Sequence, residues 1–390
     1  MGPSVTSLSR PIVVERANSS CRLGHWPVTI GEERNRLRCK RFHSSKMQRS
    51  MTIREVARIA GVSIATVSRA VNRSGAVSRE ARAAIDRAIR ESGFRPNNIG
   101  RQLKTARTRT IGVLVPSLKN PIFADAIAGL ERVAAERGYS LFFASSGYCA
   151  EKETAAVETF LQSRVEGMVL TVADEAASRA LDTLTATALP FVLLFNPAKR
   201  LHVSTVSIDN RRAAREIVDA LIGMGHERIV MIAGRLSESD RSVERRAGYE
   251  DALRSRGLPV PDVVEVGFET TDLATQVGEL DGRGEAPTAY FCSTDMLAIS
   301  AIRALSARGR RVPGEVSVAG FDGISVGEHL APSLATAVQP AEQMGEWAAR
   351  HLLERIEGRQ ETTSMVLPHG IRPGESWGPP PAARGRHENP

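Results

Sequence analysis

The feature that most constrains the fold is an alternation of short apolar runs with amphipathic helical segments, starting at Thr110. The clearest runs are IGVLVP (111–116), LFFAS (141–145), GMVLTV (167–172), PFVLLF (190–195), VSID (206–209), RIVMIAG (228–234), VVEVGF (263–268), TAYFC (288–292) and VSVAGF (316–321). Continuous apolar runs separated by helices predict parallel sheets that are covered on both faces. About ten strands are too many for one sheet, so we expect an α/β core of two doubly wound parallel-sheet lobes over residues 110–377. The last helix and strand (341–367) should complete these lobes.

Ligands of doubly wound folds bind at the carboxyl ends of the strands, which here means the cleft between the two lobes. Dinucleotides are one such ligand class, but no strand is followed by G-x-G-x-x-G, and the chain contains no G-x-x-x-x-G-K-[ST]. His226 and His329 show no metal-binding spacing. We therefore expect no enzyme, no metal site and no cofactor.

A different pattern precedes the lobes, in TIREVARIAGVSIATVSRAVN (52–72). The apolar positions follow the spacing of one helix face: Ile53, Val56, Ala57 and Ala60. Thr52 and Glu55 have the spacing of a capping box, and Gly61 can adopt the turn conformation that ends a helix. This stretch therefore begins with one short, capped helix.

Two further helices follow it. Ser63 can cap the second, and the third extends from Ser78 to Gly93. The expected buried positions are Val67, Ala70 and Val71 on the second helix and Ala81, Ala84, Ile85, Ala88 and Ile89 on the third. Three short helices with a tight turn between the first two predict an all-α helix-turn-helix domain over residues 51–96.

The outer face of the second helix is polar: Ser63, Thr66, Ser68, Arg69, Asn72 and Arg73. Such groups suit base edges and phosphates in a DNA major groove, although any small three-helix unit has a polar outer face. The charge distribution favours DNA, because residues 1–110 carry 23 Lys and Arg against 7 Asp and Glu. The remaining residues carry 29 against 37. A basic N-terminal part followed by an acidic remainder indicates that a polyanionic partner binds near the N-terminus only.

Both ends of the chain lack a helical or strand pattern. We expect residues 1–50 to be a disordered extension, either a basic arm or a stretch upstream of a true start at Met47 or Met51. Residues 378–390 are expected to be a disordered tail.

A hinge is expected at residues 97–109, since Pro96 prevents the third helix from continuing. Within it, Asn98–Lys104 has the composition of a short helix, but Gly100 weakens it by about 1 kcal/mol relative to alanine. A helix this brief does not hold on its own. The segment is therefore expected to fold only against something else.

The four cysteines, Cys21, Cys39, Cys149 and Cys292, have neither metal nor disulfide spacing, and the last two are expected to be buried thiols. This fits a reducing compartment. No run approaches the roughly 20 apolar residues of a membrane span. The start of the chain lacks the order of charge, apolar run and cleavage site of a signal peptide. We therefore expect a cytoplasmic protein without membrane contact.

From about Met51 to Trp377, the chain resembles the lactose-repressor (LacI/GalR) family of bacterial transcriptional regulators. The motifs that carry this resemblance are TIREVARIAGVSIATVSRAVN (52–72), RPNNIGRQLKTARTRTIGVLVP (95–116), NPIF (120–123), SIDN (207–210), GHERIV (225–230), RRAGY (245–249), STDMLA (293–298), VPGEVSVAGFD (312–322) and VQP (338–340). The resemblance implies a periplasmic-binding-protein-like core. It also implies a repressor that binds a near-palindromic double-stranded DNA operator as a homodimer, or as a tetramer built from two dimers. Such a protein is associated with the nucleoid while it is bound to DNA.

The resemblance also implies which residues contact DNA: Thr52, Ser63, Ile64, Ala65, Thr66, Ser68, Arg69, Asn72, Asn97, Arg101 and Leu103. Ile64 and Ala65 match positions that set operator choice in the family, and their apolar side chains favour contacts with thymine methyl groups. Leu103 matches the hinge leucine that wedges into the minor groove and kinks the duplex. Gly100 stands where the family usually has alanine, so folding of this hinge should depend more strongly on bound DNA.

In the cleft, the resemblance implies an effector site formed by Asn120, Phe123, Asn196, Arg245, Phe268, Asp295 and Asp322. Arginine and aspartate can hydrogen-bond vicinal hydroxyls, and aromatic faces can cover a sugar ring, so the implied effector is a sugar or a related small metabolite. Read without the resemblance, these charged residues would be surface groups and the phenylalanines would be core. The role assigned to Asp322 is the weakest, because its turn could be purely structural.

Two alternative functions remain at this point. A solute-binding protein would have the same two-lobed core, but the helix-turn-helix and the missing export signal oppose it. A DNA-binding architectural protein would have the same reading helix but no effector. Only effector binding separates that alternative from a regulator.

Overall fold

The computed structural model of the protein describes residues 51–72, 74–94, 107–282, 286–359 and 361–381. The chain divides into two compact units, one up to Asn97 and the other from Asn98 onward. The expected extension, the short hinge helix and the end of the expected tail lie outside the described residues.

The described residues of the N-terminal unit form three helices, α1 (Ile53–Ala60), α2 (Ile64–Asn72) and α3 (Arg79–Ser92). Both bonds of the capping box are present: Glu55 N donates to Thr52 Oγ1 at 3.4 Å, and Thr52 N donates to Glu55 Oε2 at 2.7 Å. Gly61 ends α1 with a φ of 65°. Ser63 Oγ accepts a bond from Thr66 N at 3.1 Å where α2 begins. The predicted three-helix arrangement is therefore confirmed.

A small apolar core lies between these three helices: Val56, Ala57, Val67, Ala70, Ile85, Ala88 and Phe94. The other residues predicted to face inward are only half-buried: Ile53, Ala60, Val71, Ala81, Ala84 and Ile89. A unit with so little buried apolar area is expected to be only marginally stable, so its helix caps contribute a large share of its stability.

The C-terminal unit is built on two six-stranded sheets, ordered β11-β5-β4-β3-β1-β2 and β12-β10-β9-β8-β6-β7. The strands are β1 (Thr110–Val115), β2 (Ser140–Ser145), β3 (Gly167–Leu170), β4 (Phe191–Leu194), β5 (Ser204–Ile208), β6 (Ile229–Gly234), β7 (Val264–Val266), β8 (Ala289–Cys292), β9 (Ser317–Asp322), β10 (Ala335–Val338), β11 (Ser364–Leu367) and β12 (Gly370–Arg372). We call the first sheet with its helices lobe 1 and the second sheet with its helices lobe 2.

Among the residues that the structure describes, four helices belong to each lobe. Those of lobe 1 are α4 (Pro121–Glu136), α5 (Ala150–Gln162), α6 (Arg179–Ala186) and α11 (Ala341–Ile356). Those of lobe 2 are α7 (Asn210–Gly223), α8 (Asp240–Ser255), α9 (Ala274–Asp281) and α10 (Asp295–Ala307). The chain passes between the lobes after β5, after β10 and after β11. Two doubly wound lobes, completed by the last helix and strand, are therefore confirmed.

The strands differ from the prediction in number and burial. The described residues contain twelve strands. The sequence patterns missed β10 and β12, because these short segments hold small or polar residues rather than bulky apolar runs. β12 also pairs antiparallel with β10, whereas the other strand pairs are parallel. Phe142 and Phe143 of β2 are partly exposed, because this strand forms the edge of its sheet.

Cys292 is buried as expected, but Cys149 is only half-buried and its thiol donates to Glu151 Oε2 at 3.0 Å. Burial raises the pKa of Cys292, so this thiol stays protonated at neutral pH. Across the part of the chain that the structure describes, no helix is both long and apolar enough to cross a membrane.

Glycines allow the long helices of each lobe to pack closely. A Cβ atom at Gly129 of α4 would overlap with the carbonyl of Glu342, and one at Gly345 of α11 would overlap with the carbonyl of Ala126. In lobe 2, Gly248 of α8 lies equally close to the backbone of α7. Because backbone atoms cannot rotate away as a side chain can, these contacts fix the spacing of the helices.

The substitution Gly345→Ala should therefore force α4 and α11 apart and lower the free energy of unfolding by about 1–3 kcal/mol. Urea denaturation followed by circular dichroism measures this change. Gly223→Ala is the matched control, since Gly223 ends α7 with open space around its Cβ position. That variant should change stability by no more than about 1 kcal/mol. Equal stability of the two variants would contradict the packing described here.

Candidate functional site

A narrow cleft, partly open to solvent, lies between the two lobes. Its lining residues are Asn120, Ile122, Phe123, Tyr148, Phe195, Ser239, Arg241, Ser242, Arg245, Phe268, Thr294, Asp322 and Gln339. They follow the carboxyl ends of strands in both sheets, as expected for doubly wound folds. Three of them, Asn120, Ser239 and Thr294, cap the N-termini of α4, α8 and α10.

Asp322 is the buried carboxylate that joins the two lobes. It accepts hydrogen bonds from Asn120 Nδ2 of lobe 1 at 2.9 Å and from Gln339 Nε2 at 3.0 Å, and Arg245 Nη1 lies 3.5 Å away. Burial raises the pKa of Asp322, while the Arg245 guanidinium and the two amides oppose the rise. Its φ of 130° is unusual for a residue with a side chain, so the surrounding bonds hold it in a strained conformation.

Arg245 of α8 lies at the back of the cleft. Its Nε donates to Asn210 Oδ1 at 2.9 Å, and its Nη1 donates to the carbonyl of Ser293. The guanidinium carbon lies 3.7 Å from the centre of the Phe321 ring, a cation–π contact. Burial lowers the pKa of Arg245 to about 10, and the Asp322 carboxylate opposes this fall, so the side chain remains a cation at neutral pH.

A second cluster joins the lobes through Asp240 and Arg241 at the start of α8. Arg241 Nη1 donates to the carbonyl of Val172 in lobe 1 at 2.8 Å and to Asp240 Oδ1 at 3.2 Å. Asp240 accepts further bonds from Asn196 Nδ2 at 3.0 Å and from Glu175 N at 3.1 Å. Both charges are therefore compensated by bonds that hold the lobes together.

Aromatic rings close the cleft from both sides. Tyr148 of lobe 1 stacks on Phe268 of lobe 2, with ring centres 4.1 Å apart and planes 7° from parallel. At the rim, Glu269 accepts bonds from Ser117 Oγ at 2.9 Å and from Lys119 Nζ at 2.5 Å. Lys119 is mostly exposed, so this ion pair contributes little compared with the buried bonds.

Five of the seven residues predicted to bind an effector line this cleft: Asn120, Phe123, Arg245, Phe268 and Asp322. Asn196 and Asp295 do not line it, although both are fully buried. Asn196 is bonded to Asp240, as described above, and to the backbone of Val172. Asn196 and Asp295 therefore lie behind the wall of the cleft and support it.

Asp295 is held by internal donors at the start of α10. Its carboxylate accepts bonds from Gly323 N and Ile324 N, both at 2.8 Å, and from Thr336 Oγ1 at 2.6 Å. Burial raises the pKa of Asp295, and the nearby Asp322 carboxylate adds to the rise. Its partners lie in the turn after β9 and in β10, so it fixes the turn that carries Asp322.

Sequence reasoning missed six of the lining residues that carry polar groups: Tyr148, Ser239, Arg241, Ser242, Thr294 and Gln339. A usable signal existed for Ser239 and Thr294, because a serine or threonine between a strand and a helix marks an N-cap at the carboxyl edge of the sheet. Arg241 and Tyr148 offered none, since their positions depend on the packing of one lobe against the other.

The N-terminal unit presents a separate surface, the start of α2. Ser63, Ile64, Ala65 and Arg69 are exposed there, with 46% of Ile64 accessible, while Thr66 and Ser68 are half-buried. Exposed apolar groups beside an arginine can contact base edges and phosphates, and the small core of the unit does not use them. The predicted contacts Asn97, Arg101 and Leu103, like the side chain of Asn72, lie outside the described residues.

One enzyme-like motif does occur, GISVG (323–327), which has the G-x-S-x-G spacing of a nucleophile elbow. Its Ser325 lies in a 3₁₀ turn, Ser325–His329, rather than at a sharp strand-to-helix turn. Within the described ranges, no group of three or more His, Cys, Asp or Glu could hold a metal ion. The turn around Ser325 therefore differs from the strand-to-helix turn of a nucleophile elbow.

Two family models match the chain. Residues 52–97 match the bacterial regulatory proteins of the lacI family, and residues 108–371 match the periplasmic binding proteins and sugar binding domain of the LacI family. Catabolite control protein A of Priestia megaterium is 32% identical over 325 residues, which cover 83% of this chain and 98% of the relative. The HTH-type transcriptional regulator GntR of Escherichia coli K12 is 35% identical over 333 residues, covering 83% and 98%.

Solved structures agree with these matches. The lac repressor dimer bound to operator and the anti-inducer ONPF is 26% identical, with a TM-score of 0.73, and the match covers 84% of this chain and 99% of that one. The complex of the transcriptional regulator CelR with cellobiose is 32% identical over the same shares, with a TM-score of 0.62. With both of its units matched in order and at these identities, the chain belongs to the LacI family of bacterial regulatory proteins.

Proposed function

We propose that the protein is a transcriptional repressor that binds a near-palindromic operator as a homodimer and responds to a small-molecule effector in its interlobe cleft. The observation that carries this proposal is the pairing, in one chain, of an exposed reading helix with a cleft lined by both lobes. An architectural DNA-binding protein does not need a ligand-binding cleft. A solute-binding protein does not need the exposed face of α2.

DNA recognition is assigned to the start of α2, as already implied by the sequence. Arg69 supplies phosphate or guanine contacts, while Ile64 and Ala65 favour thymine methyl groups. This surface also includes the hydroxyls of Ser63 and Thr66, which are bonded to each other at 2.8 Å and can turn toward base edges. A single copy of so small a unit covers one half-site, so a dimer is needed for a palindrome.

The effector is assigned to the cleft because polar groups from both lobes converge there around aromatic surfaces. A relative whose structure is described as a cellobiose complex supports a sugar or a related metabolite as the ligand class. The ligand does not need to touch DNA. It controls repression if it binds one arrangement of the lobes more tightly than the other, and a coupling of about 1–3 kcal/mol changes operator affinity about 5- to 150-fold. As a DNA-bound regulator, the protein acts in the cytoplasm, associated with the nucleoid.

Arg69→Ala should lower operator affinity at least tenfold and reduce the dependence of binding on salt, because one phosphate-neutralising charge is lost. Gel shifts at matched salt concentrations measure both effects. Arg90→Ala, which removes an exposed arginine from the last turn of α3, controls for the loss of one positive charge. If Arg69→Ala bound the operator as tightly as Arg90→Ala did, α2 would not be the reading helix.

Phe268→Ala and Arg245→Ala should each abolish the effector response while operator affinity in the absence of effector stays within about threefold, since neither residue belongs to the reading helix. The measurement is an operator gel shift titrated with a sugar or metabolite that alters binding by the wild type. Leu201→Ala is the matched control, because Leu201 is 86% exposed. Phe268→Ala controls for unfolding caused by Arg245→Ala, because Arg245 makes several buried hydrogen bonds that Phe268 does not make. A normal response in both variants would rule out the cleft as the effector site.

A further inference from the structure

The polar groups that line the cleft are unevenly satisfied. Arg241 and Arg245 have side chains that are only 6% and 5% exposed. Among the described residues, Nη2 of either arginine and Nε of Arg241 donate no hydrogen bond, because the bonds of Arg241 use Nη1 alone and those of Arg245 use Nε and Nη1. Both arginines line the cleft, and these nitrogens are not among the fully enclosed atoms that lack a partner, so their free N–H groups are available to a ligand in the cleft.

The carboxylate of Asp322 and the amide oxygen of Asn120, in contrast, are already used as acceptors within the protein. Each carboxylate oxygen of Asp322 already accepts a bond, from Asn120 or from Gln339. Asn120 Oδ1 accepts from Ile122 N at 3.2 Å in its role as a helix cap. Asp295, the other carboxylate expected here, lies outside the lining and is saturated. A neutral sugar offers an O–H donor with every hydroxyl and would find both carboxylate oxygens of Asp322 already in use.

Backbone groups add to the excess of donors. Three helices, α4, α8 and α10, start at the cleft. They are 16, 16 and 13 residues long, so the helix dipole places a partial positive charge at each N-terminus. The capping hydroxyls of Ser239 and Thr294 accept from their own helices, which leaves their O–H groups free to donate. Asp240 offsets the charge of Arg241 but does not line the cleft.

We propose that the effector carries an anionic group, a carboxylate or a phosphate, and that the free N–H groups of Arg241 bind it. A carboxylate or phosphate is rich in acceptors and pairs bidentately with a guanidinium, which matches the free Nε and Nη2 of Arg241. Phe123, Tyr148 and Phe268 cover the apolar body of the ligand. The effector class is therefore a sugar acid or a sugar phosphate rather than a neutral sugar. This inference depends on the proposed function, in which the cleft holds the effector.

Matched probes test the charge directly. Titration calorimetry on the full chain compares D-glucose with D-glucuronate, D-gluconate and glucose 6-phosphate, and D-ribose with ribose 5-phosphate and inorganic phosphate. At least one anionic probe should bind tighter than its neutral counterpart, and comparing D-glucuronate and D-gluconate with glucose 6-phosphate distinguishes a carboxylate from a phosphate. Arg241→Gln should weaken that probe at least tenfold, which is about 1.4 kcal/mol. Arg254→Gln, on the same helix but 61% exposed, should leave its affinity unchanged.

Three results would overturn the inference: a neutral probe that binds as tightly as its anionic partners, no binding by any anionic probe, or an anionic affinity unaffected by Arg241→Gln. Arg241→Lys is the second variant in case Arg241→Gln melts early, and it should weaken binding because a lysine cannot present two parallel N–H groups. Operator gel shifts with the same probes separate this test from the proposed function. If a neutral sugar bound the cleft and released the operator, the proposed regulator function would stand. Only the inference of an anionic effector would then be overturned.

Discussion

The two-lobed unit depends on one buried carboxylate, that of Asp322 at the end of β9. Its strained backbone costs about 1–3 kcal/mol and persists only because its surroundings fix it. The donors that do so come from three places: α4 in lobe 1, the crossover after β10, and α8 in lobe 2. A buried carboxylate that loses a donor is left partly uncompensated. Lobe closure, the shape of the cleft and the position of Arg245 therefore depend on the same set of bonds.

This arrangement gives the cleft the properties of a switch. The buried bonds of Asp322 and Asp240 favour the closed lobes, whereas the rim pair of Lys119 and Glu269 is too exposed to contribute much. A ligand that enters between the lobes must separate or replace the stacked rings of Tyr148 and Phe268. It can shift the balance only by the difference between its affinities for the open and the closed arrangement. Packing at glycine keeps the helices of each lobe at fixed spacing, so closure is expected to move the lobes as units.

Local patterns predicted much of the fold, and contacts between the lobes limited what could be predicted of the site. The capping box of Thr52 and Glu55 and the apolar runs of the sheets are encoded within a few residues, so their structures could be anticipated. Asp295 and Asn196 carry suitable chemistry, but their partners lie far along the chain, in β10 and α8. Tyr148 and Arg241 reach the cleft through loop geometry and lobe packing, which leave no periodic signal. Asp322, the least favoured candidate, proved central because three distant segments donate to it.

The central claim is that the bond between Asn120 and Asp322 holds the lobes closed, and amide hydrogen exchange on the full chain, without ligand or DNA, tests it most directly. Asn120→Ser keeps a capping oxygen for α4 but removes the donor to Asp322. The account predicts faster exchange in peptides from both sides of the cleft, residues 145–149 and 266–270, with unchanged exchange in α1–α3. Exchange at both sides that matched the wild type would contradict it.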